Sequence, residues 1–216
     1  MRFVLKILLP LIAALSLSAF IHKTTPEEKF WKWFSSKSDQ YYEHLDDRQD
    51  AIFSEIGTQL RKIHPDLTFQ FSIPDKEGKR EFVISADGKK AAISSVLKLV
   101  EQVPKLDKWR IIAFRQRETD FPVVQFEGLT LSVEEIYFHA KDEGDKTGLI
   151  LYIRGYNGTE KYMGAAFILL DNNIGEFDVM TRIGSLEFRP LDKNLSSELK
   201  PFKELAPLID SKKTIN

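Results

Sequence analysis

Residues 67–85, LTFQFSIPDKEGKREFVIS, contain the pattern that decides the fold. Apolar and polar side chains alternate from Leu67 to Ile73, which is the period-two pattern of a half-buried strand. The turn-forming run PDKEG at 74–78 follows, and the apolar run REFVIS at 80–85 returns. The stretch therefore predicts a β-hairpin with one buried face.

Two helices are predicted before this hairpin. The run TTPEE at 24–28 offers a hydroxyl cap, a proline and acids, which together indicate a helix start. We expect this helix to pause at Ser35–Ser38 and a second helix to run to about Ile63. Apolar residues recur in the second helix at steps of three, four and seven, which gives a single buried stripe. His64-Pro65 ends it, because proline cannot continue the helical hydrogen bonds.

The chain after the hairpin repeats the same order of elements. A helix at 91–103 and a strand at 109–114, apolar on both faces and so expected inside a sheet, complete the first unit. A short strand at 123–126 and a helical turn at 132–135 come next. We then predict two strands at 136–140 and 149–154 and a helix at 160–170. A last strand is predicted at 177–188, with Gly184 as a bulge. The sequence thus predicts a duplicated strand-strand-helix-strand unit.

The predicted fold class is α+β, with an N-terminal helical hairpin packed on a mainly antiparallel sheet built from the two units. The chain divides into a leader (1–21), a helical segment (26–63), an α+β domain (64–190) and a polar, lysine-rich tail (191–216). One short helix is predicted in the tail, near Phe202–Ile209.

The leader carries Arg2 and Lys6 ahead of an uncharged apolar run, Ile7–Ile21. This order is typical of a cleaved signal peptide. Residues 3–21 are also long enough for an uncleaved membrane anchor with the domain outside, or for a buried core helix. The first two alternatives predict an extracytoplasmic domain, either periplasmic or secreted, or anchored to the inner membrane.

Composition excludes several classes of function. Three of the 31 basic residues lie in residues 1–25, which contain no acid, so 28 basic residues face 32 acids in the remainder. A mildly acidic body of this kind does not favour nucleic-acid binding. The chain has no cysteine, so disulfides, thiolate catalysis and cysteine-ligated zinc are excluded.

No reactive motif is recognisable along the chain. The sequence has no G-x-S-x-G, G-x-G-x-x-G or P-loop, and its four histidines form no metal-binding pattern. Asp39, Glu43, Asp47 and Asp50 share a helical face, which is more typical of a solvated surface than of a cation site. The run from Asp171 to Glu176 departs from the calcium-loop spacing. We therefore predict no catalytic residue, metal or cofactor.

The first helix is unusually aromatic, with Phe30, Trp31, Trp33 and Phe34 pointing to more than one of its faces. One interpretation is a helix clamped between the sheet and the second helix. The other is an exposed interaction surface for a partner or for the membrane. These four residues are the candidate interaction surface.

A second candidate is the group Arg110, Arg115 and Arg117, on or just after a predicted strand. These arginines could collect an anionic ligand at the end of the sheet. Pairing with the nearby Glu118 and Asp120 is the simpler interpretation.

Four runs together resemble a family of uncharacterised bacterial proteins: F-W-x-W-F at 30–34, K-R-E-F-V-I-S-A-D-G at 79–88, W-R-I-I-A-F-R at 109–115 and L-D-N-N-I-G-E-F-D-V at 170–179. The resemblance covers about residues 30 to 190. It implies a bacterial source and a shared fold, and it assigns no functional residue.

The sequence thus predicts an exported, non-enzymatic binding or interaction protein whose partner is a protein or a small ligand. A membrane tether through residues 3–21 is one alternative, and no nucleic-acid partner is expected. The alternatives for function are an extracytoplasmic hydrolase with a site assembled from distant residues, and a toxin-neutralising protein.

Overall fold

A computed structural model describes residues 23–192 and 199–213, and the predicted leader lies outside these residues. The order of elements is that of an α+β protein, as the sequence predicts. The helices are α1 (Pro26–His44), α2 (Gln49–Leu60), α3 (Ile93–Glu101), α4 (Glu160–Ile174), α5 (Glu176–Arg182) and α6 (Leu205–Lys213). The strands are β1 (Thr68–Phe71), β2 (Arg80–Ser85), β3 (Trp109–Ala113), β4 (Val123–Phe126), β5 (Leu129–Ser132), β6 (Ile136–Glu143), β7 (Lys146–Ile153), β8 (Ile183–Pro190) and β9 (Lys200–Pro201).

The strands of the described chain form three sheets rather than one, with the orders β1-β2-β3, β4-β5 and β8-β7-β6-β9. Two pairs, β2–β3 and β7–β8, are parallel, and the other four pairs are antiparallel. No helix within the described residues is long and apolar enough to cross a membrane.

The duplicated unit is present in the fold. In the first unit, β1 and β2 form an antiparallel hairpin, α3 crosses over, and β3 lies parallel to β2. In the second unit, β6 and β7 form the hairpin, α4 and α5 cross over, and β8 lies parallel to β7. The central strand is the second strand of each unit, so β3 is an edge strand and not the interior strand that its apolar sequence predicts.

Each unit has its own hydrophobic core. In the first, α1, α2 and α3 cover one face of the β1-β2-β3 sheet around Phe34, Phe82 and Trp109. In the second, α4 and α6 pack with Phe138 and Leu151 of the β8-β7-β6-β9 sheet. Phe202, Leu205 and Ile209 are buried there, so this part of the predicted polar tail belongs to the core.

The boundary between the first two helices lies at 45–48 and not at the predicted pause, Ser35–Ser38. Helix α1 continues through the serines, whose hydroxyls are satisfied by carbonyls of the same helix: Ser36 donates to Trp33 O at 2.6 Å and Ser38 to Ser35 O at 3.2 Å. The start of α1 agrees with its sequence, since Thr25 and Glu28 form a capping box.

Two further predictions about local structure are wrong. Residues 177–182 were expected to extend the last strand, but they are helical in α5, which begins after Gly175 with its positive φ of 84°. Strand β5 was not predicted at all. The bulge at Gly184 is confirmed, because the register of β8 against β7 shifts there.

Candidate functional site

A cleft of about 1040 Å³ lies between the two units, and we call it the interunit cleft. One wall is the face of the β1-β2-β3 sheet opposite the helices, where Gln70, Val83 and Ile112 stand side by side on adjacent strands. The other wall comes from α4, α5 and β8. The volume of the interunit cleft is at the upper end of the range found for small-molecule pockets.

Glu176 is 0% exposed and bonds to the backbone of Arg115, which lines the cleft. One carboxylate oxygen accepts hydrogen bonds from the Ser85 hydroxyl at 2.8 Å and from the Ala86 N–H at 2.9 Å. The other accepts from the Arg115 N–H at 2.9 Å. Because β2 and β3 are parallel, their carboxyl ends meet at this edge, and Glu176 of the second unit joins both.

Arg115 extends this network into the cleft. Its guanidinium contacts Asp87 at 3.1 Å and Asp171 at 3.3 Å. Burial, with a smaller contribution from the neighbouring Glu176 carboxylate, raises the pKa of Asp171 to about 6, while the Arg115 guanidinium opposes the shift. Asp171 is therefore a carboxyl that changes charge near neutral pH at the wall of the cleft.

Arg117 is anchored in the same way. Its guanidinium binds Asp210 at 2.8 Å and Asp178 at 3.0 Å, and its Nε donates to Ile174 O at 2.8 Å. Arg115 and Arg117 therefore pair with distant acids. The sequence had instead suggested pairing with the nearby Glu118 and Asp120.

The loops around the cleft hold a strained backbone. Phe114 has a φ of 62° and Asp87 a φ of 49°, both in the left-handed region that bulky residues rarely adopt. Phe114 is held there by burial and by its N–H, which donates to Ile84 O at 2.8 Å. Such strain is maintained only where the surroundings enforce it, and it often marks functional sites.

The predicted aromatic surface lies elsewhere. Phe30, Trp31 and Phe34 are buried in the first core, and Trp33 is partly buried against it. The Trp31 indole donates to Leu99 O at 2.6 Å. These residues clamp α1 onto the sheet, so they do not form an exposed interaction surface in the described structure.

The three histidines of the described residues and the acidic face do not line the cleft. His64 lies beside Asp66, and His139 is exposed on the outer face of the second sheet. Asp39 and Glu43 pair with Lys108. Within the described residues, no three acidic or histidine side chains are placed to hold a metal ion.

Sequence reasoning missed Glu176 and Asp171 as partners of the arginines. Both lie in the run from Asp171 to Glu176, whose spacing departs from that of a calcium loop, and their partners are 61 and 56 residues away. The only local clue was the mixture of buried apolar and acidic residues around Gly175.

Comparison of the chain with protein-family models, curated proteins and solved structures gives no significant match.

Proposed function

We propose that this protein is an exported, non-enzymatic binding protein that holds its partner in the interunit cleft. The single observation that carries the proposal is the cleft itself, which is large and has one wall from each of the two units. Clefts between structural units are preferred positions for ligands.

The state of the charged groups supports binding over catalysis. Arg115, Asp171 and Glu176 are engaged in contacts that join the units, which gives them a structural role. The groups that the cleft presents to a partner include an aromatic ring and two lysines. Phe167 is 43% exposed on the wall, and Lys89 and Lys90 stand exposed at the rim.

Export is proposed because Arg2 and Lys6 precede an uncharged apolar run within residues 1–21, as in a signal peptide. The mass of the N-terminus in the extracytoplasmic fraction tests it. A chain starting near Ala19 or Phe20 indicates a free domain, and an intact Met1 indicates a tethered one. A protein that remains entirely in the cytoplasm contradicts export.

A matched pair of substitutions tests the binding site. Tagged full-length chain is recovered from the producing bacterium, and the bound species are identified by mass spectrometry. We expect Phe167→Asp, inside the cleft, to lose the species that wild type retains. Ile73→Asp, at an 81% exposed residue outside the cleft, should retain it. Equal retention by both variants contradicts the proposal.

A second candidate function is hydrolysis, and one observation favours it. Asp171 has a pKa raised to about 6 at the wall of a large cleft, as a general acid requires. If this were its role, Asp171→Asn would abolish turnover of a hydrolysable substrate while the bound species was retained.

A further inference from the structure

Polar contacts hold much of the joint between the two units. Three hydrogen bonds end on the buried Glu176 carboxylate, two from the end of β2 and one from the end of β3. Apolar contact comes from Met180, which reaches the first core, and from Phe177, which remains 41% exposed while its ring packs on Phe114. Units joined in this way can move relative to one another, unlike units that share a large apolar interface.

A cluster of charged side chains lies at this joint. The Arg115 guanidinium contacts Asp87 of the first unit at 3.1 Å and Asp171 of the second unit at 3.3 Å. Glu176 lies beside them, since its carboxylate binds the Arg115 backbone N–H. One guanidinium thus faces three carboxyl groups, and the cluster has more negative than positive charge when every acid is ionised.

The other charged groups of the cleft do not balance this cluster. They are Glu81, Lys89, Lys90, Arg117 and Glu118. Glu81 pairs with Arg110, and Arg117 is bound by two acids of α5 and α6. Lys89 and Lys90 are exposed, and within the described residues they form no salt bridge with the cluster. A proton on one of the three carboxyl groups reduces the excess of negative charge.

Asp171 is the carboxyl group that takes up this proton. It is 8% exposed, and burial, followed by repulsion from Glu176, raises its pKa to about 6 against the attraction of Arg115. Arg115 and Asp87 belong to the first unit, so moving the units apart returns the Asp171 carboxyl to water and to its ordinary pKa of 3.8. The closed joint therefore binds the proton more tightly than an open joint. The stabilisation of the closed joint by this proton is fully present below pH 3.8 and is lost as the pH rises through about 6.

We propose that the joint is a proton-controlled latch, in which a proton on Asp171 keeps the two units closed over the interunit cleft and its release to solvent lets them part. Asp171 lines the cleft, so the proton exchanges directly with water there. Once ionised, the carboxylate is more stable in water than buried at the joint. The latch goes beyond the proposed function, because it concerns the relative position of the units and needs no partner.

The distance between one spin label on each unit tests the latch. The chain has no cysteine, so Lys98→Cys on α3 and Asp145→Cys in the turn between β6 and β7 provide the two labels, both at exposed residues. Pulsed electron paramagnetic resonance gives the distribution of label distances in the full-length chain from pH 4 to pH 8. We expect one distance at pH 4 and a second distance that appears as the pH rises through about 6. The ratio of open to closed chains should increase about fiftyfold over this range.

Two variants serve as controls for the titrating group. Asp171→Asn resembles the protonated side chain but cannot ionise, so it should keep the pH 4 distance at every pH. Glu118→Gln, at another acid of the cleft, should retain the wild-type response. Wild-type distances that stay the same from pH 4 to pH 8, or that change with a midpoint near pH 4, overturn the inference even where Asp171→Asn does not fold. A wild-type response in Asp171→Asn overturns it too, and all of these results leave the proposed binding function standing.

Discussion

The Glu176 carboxylate accepts a hydrogen bond from the backbone N–H of Arg115 at 2.9 Å, although the two residues are 61 positions apart. The bond joins the start of α5 in the second unit to the end of β3 in the first. With the bonds from Ser85 and Ala86, it makes one buried side chain the connection between three chain segments. The connection fixes the backbone of Arg115, which lines the interunit cleft.

Replacing Glu176 with glutamine is expected to lower the free energy of unfolding by about 3 kcal/mol. Both carboxylate oxygens accept from N–H or O–H donors, so the amide group of glutamine must face a donor with a donor. Urea unfolding followed by circular dichroism measures the change. Glu118→Gln, at an exposed acid of the same cleft, serves as the control and should change stability by less than about 0.5 kcal/mol. Equal effects would show that Glu176 is not the connection.

Asp171 is expected to make stability depend on pH. Its pKa in the folded state is raised to about 6 from an ordinary 3.8, so folding favours the protonated form. Its contribution is therefore fully present below pH 3.8 and is lost as the pH rises through about 6. Relative to Asp171→Asn, wild type should lose up to about 3 kcal/mol over this range. Urea unfolding of both proteins from pH 4 to pH 7 measures it, and a constant difference refutes the assignment.

The aromatic residues of α1 are expected to behave as core residues. Phe34 is fully buried, so Phe34→Ala should cost about 3–5 kcal/mol of unfolding free energy. Phe167→Ala removes the same ring from a half-exposed position and should cost much less. Thermal unfolding distinguishes them, and a small loss at Phe34 would instead support an exposed aromatic helix.

The turn between β4 and β5 offers a stabilising substitution. Glu127 and Gly128 have φ values of 47° and 74°, as a two-residue hairpin turn requires. Asparagine tolerates this conformation better than glutamate, so Glu127→Asn should raise stability by about 0.5–1 kcal/mol. The urea midpoint measures the gain. Glu127→Val, which disfavours positive φ, should lower the midpoint.

Periodicity and turn residues predicted most of the fold. The alternation from Leu67 to Ile73, the cap at Thr25 and the repeated order of strands and helices predicted the elements and the duplicated unit. The errors arose where local pattern was ambiguous. Residues 177–179 alternate like a strand but are folded into α5 after Gly175, and the Glu127-Gly128 turn lacks the usual asparagine or aspartate.

The cleft could not be predicted in this way, because its residues meet only through tertiary packing. Arg115 and Glu176 belong to different units, and nothing in their neighbouring sequence pairs them. The many aromatic residues of α1 were predicted as the interaction surface instead. Large aromatic side chains such as Phe34 more often fill a core than cover a surface.

Photo-crosslinking from inside the cleft tests the central claim most directly. The chain has no cysteine, so Lys89→Cys gives a single attachment point for a benzophenone probe at the rim, and Lys98→Cys gives a matched point on α3. Both labelled chains are exposed to an extract of the source organism and irradiated. The account predicts one discrete adduct from position 89 that position 98 does not give. The same adducts from both positions, or none from position 89, would contradict binding in the interunit cleft.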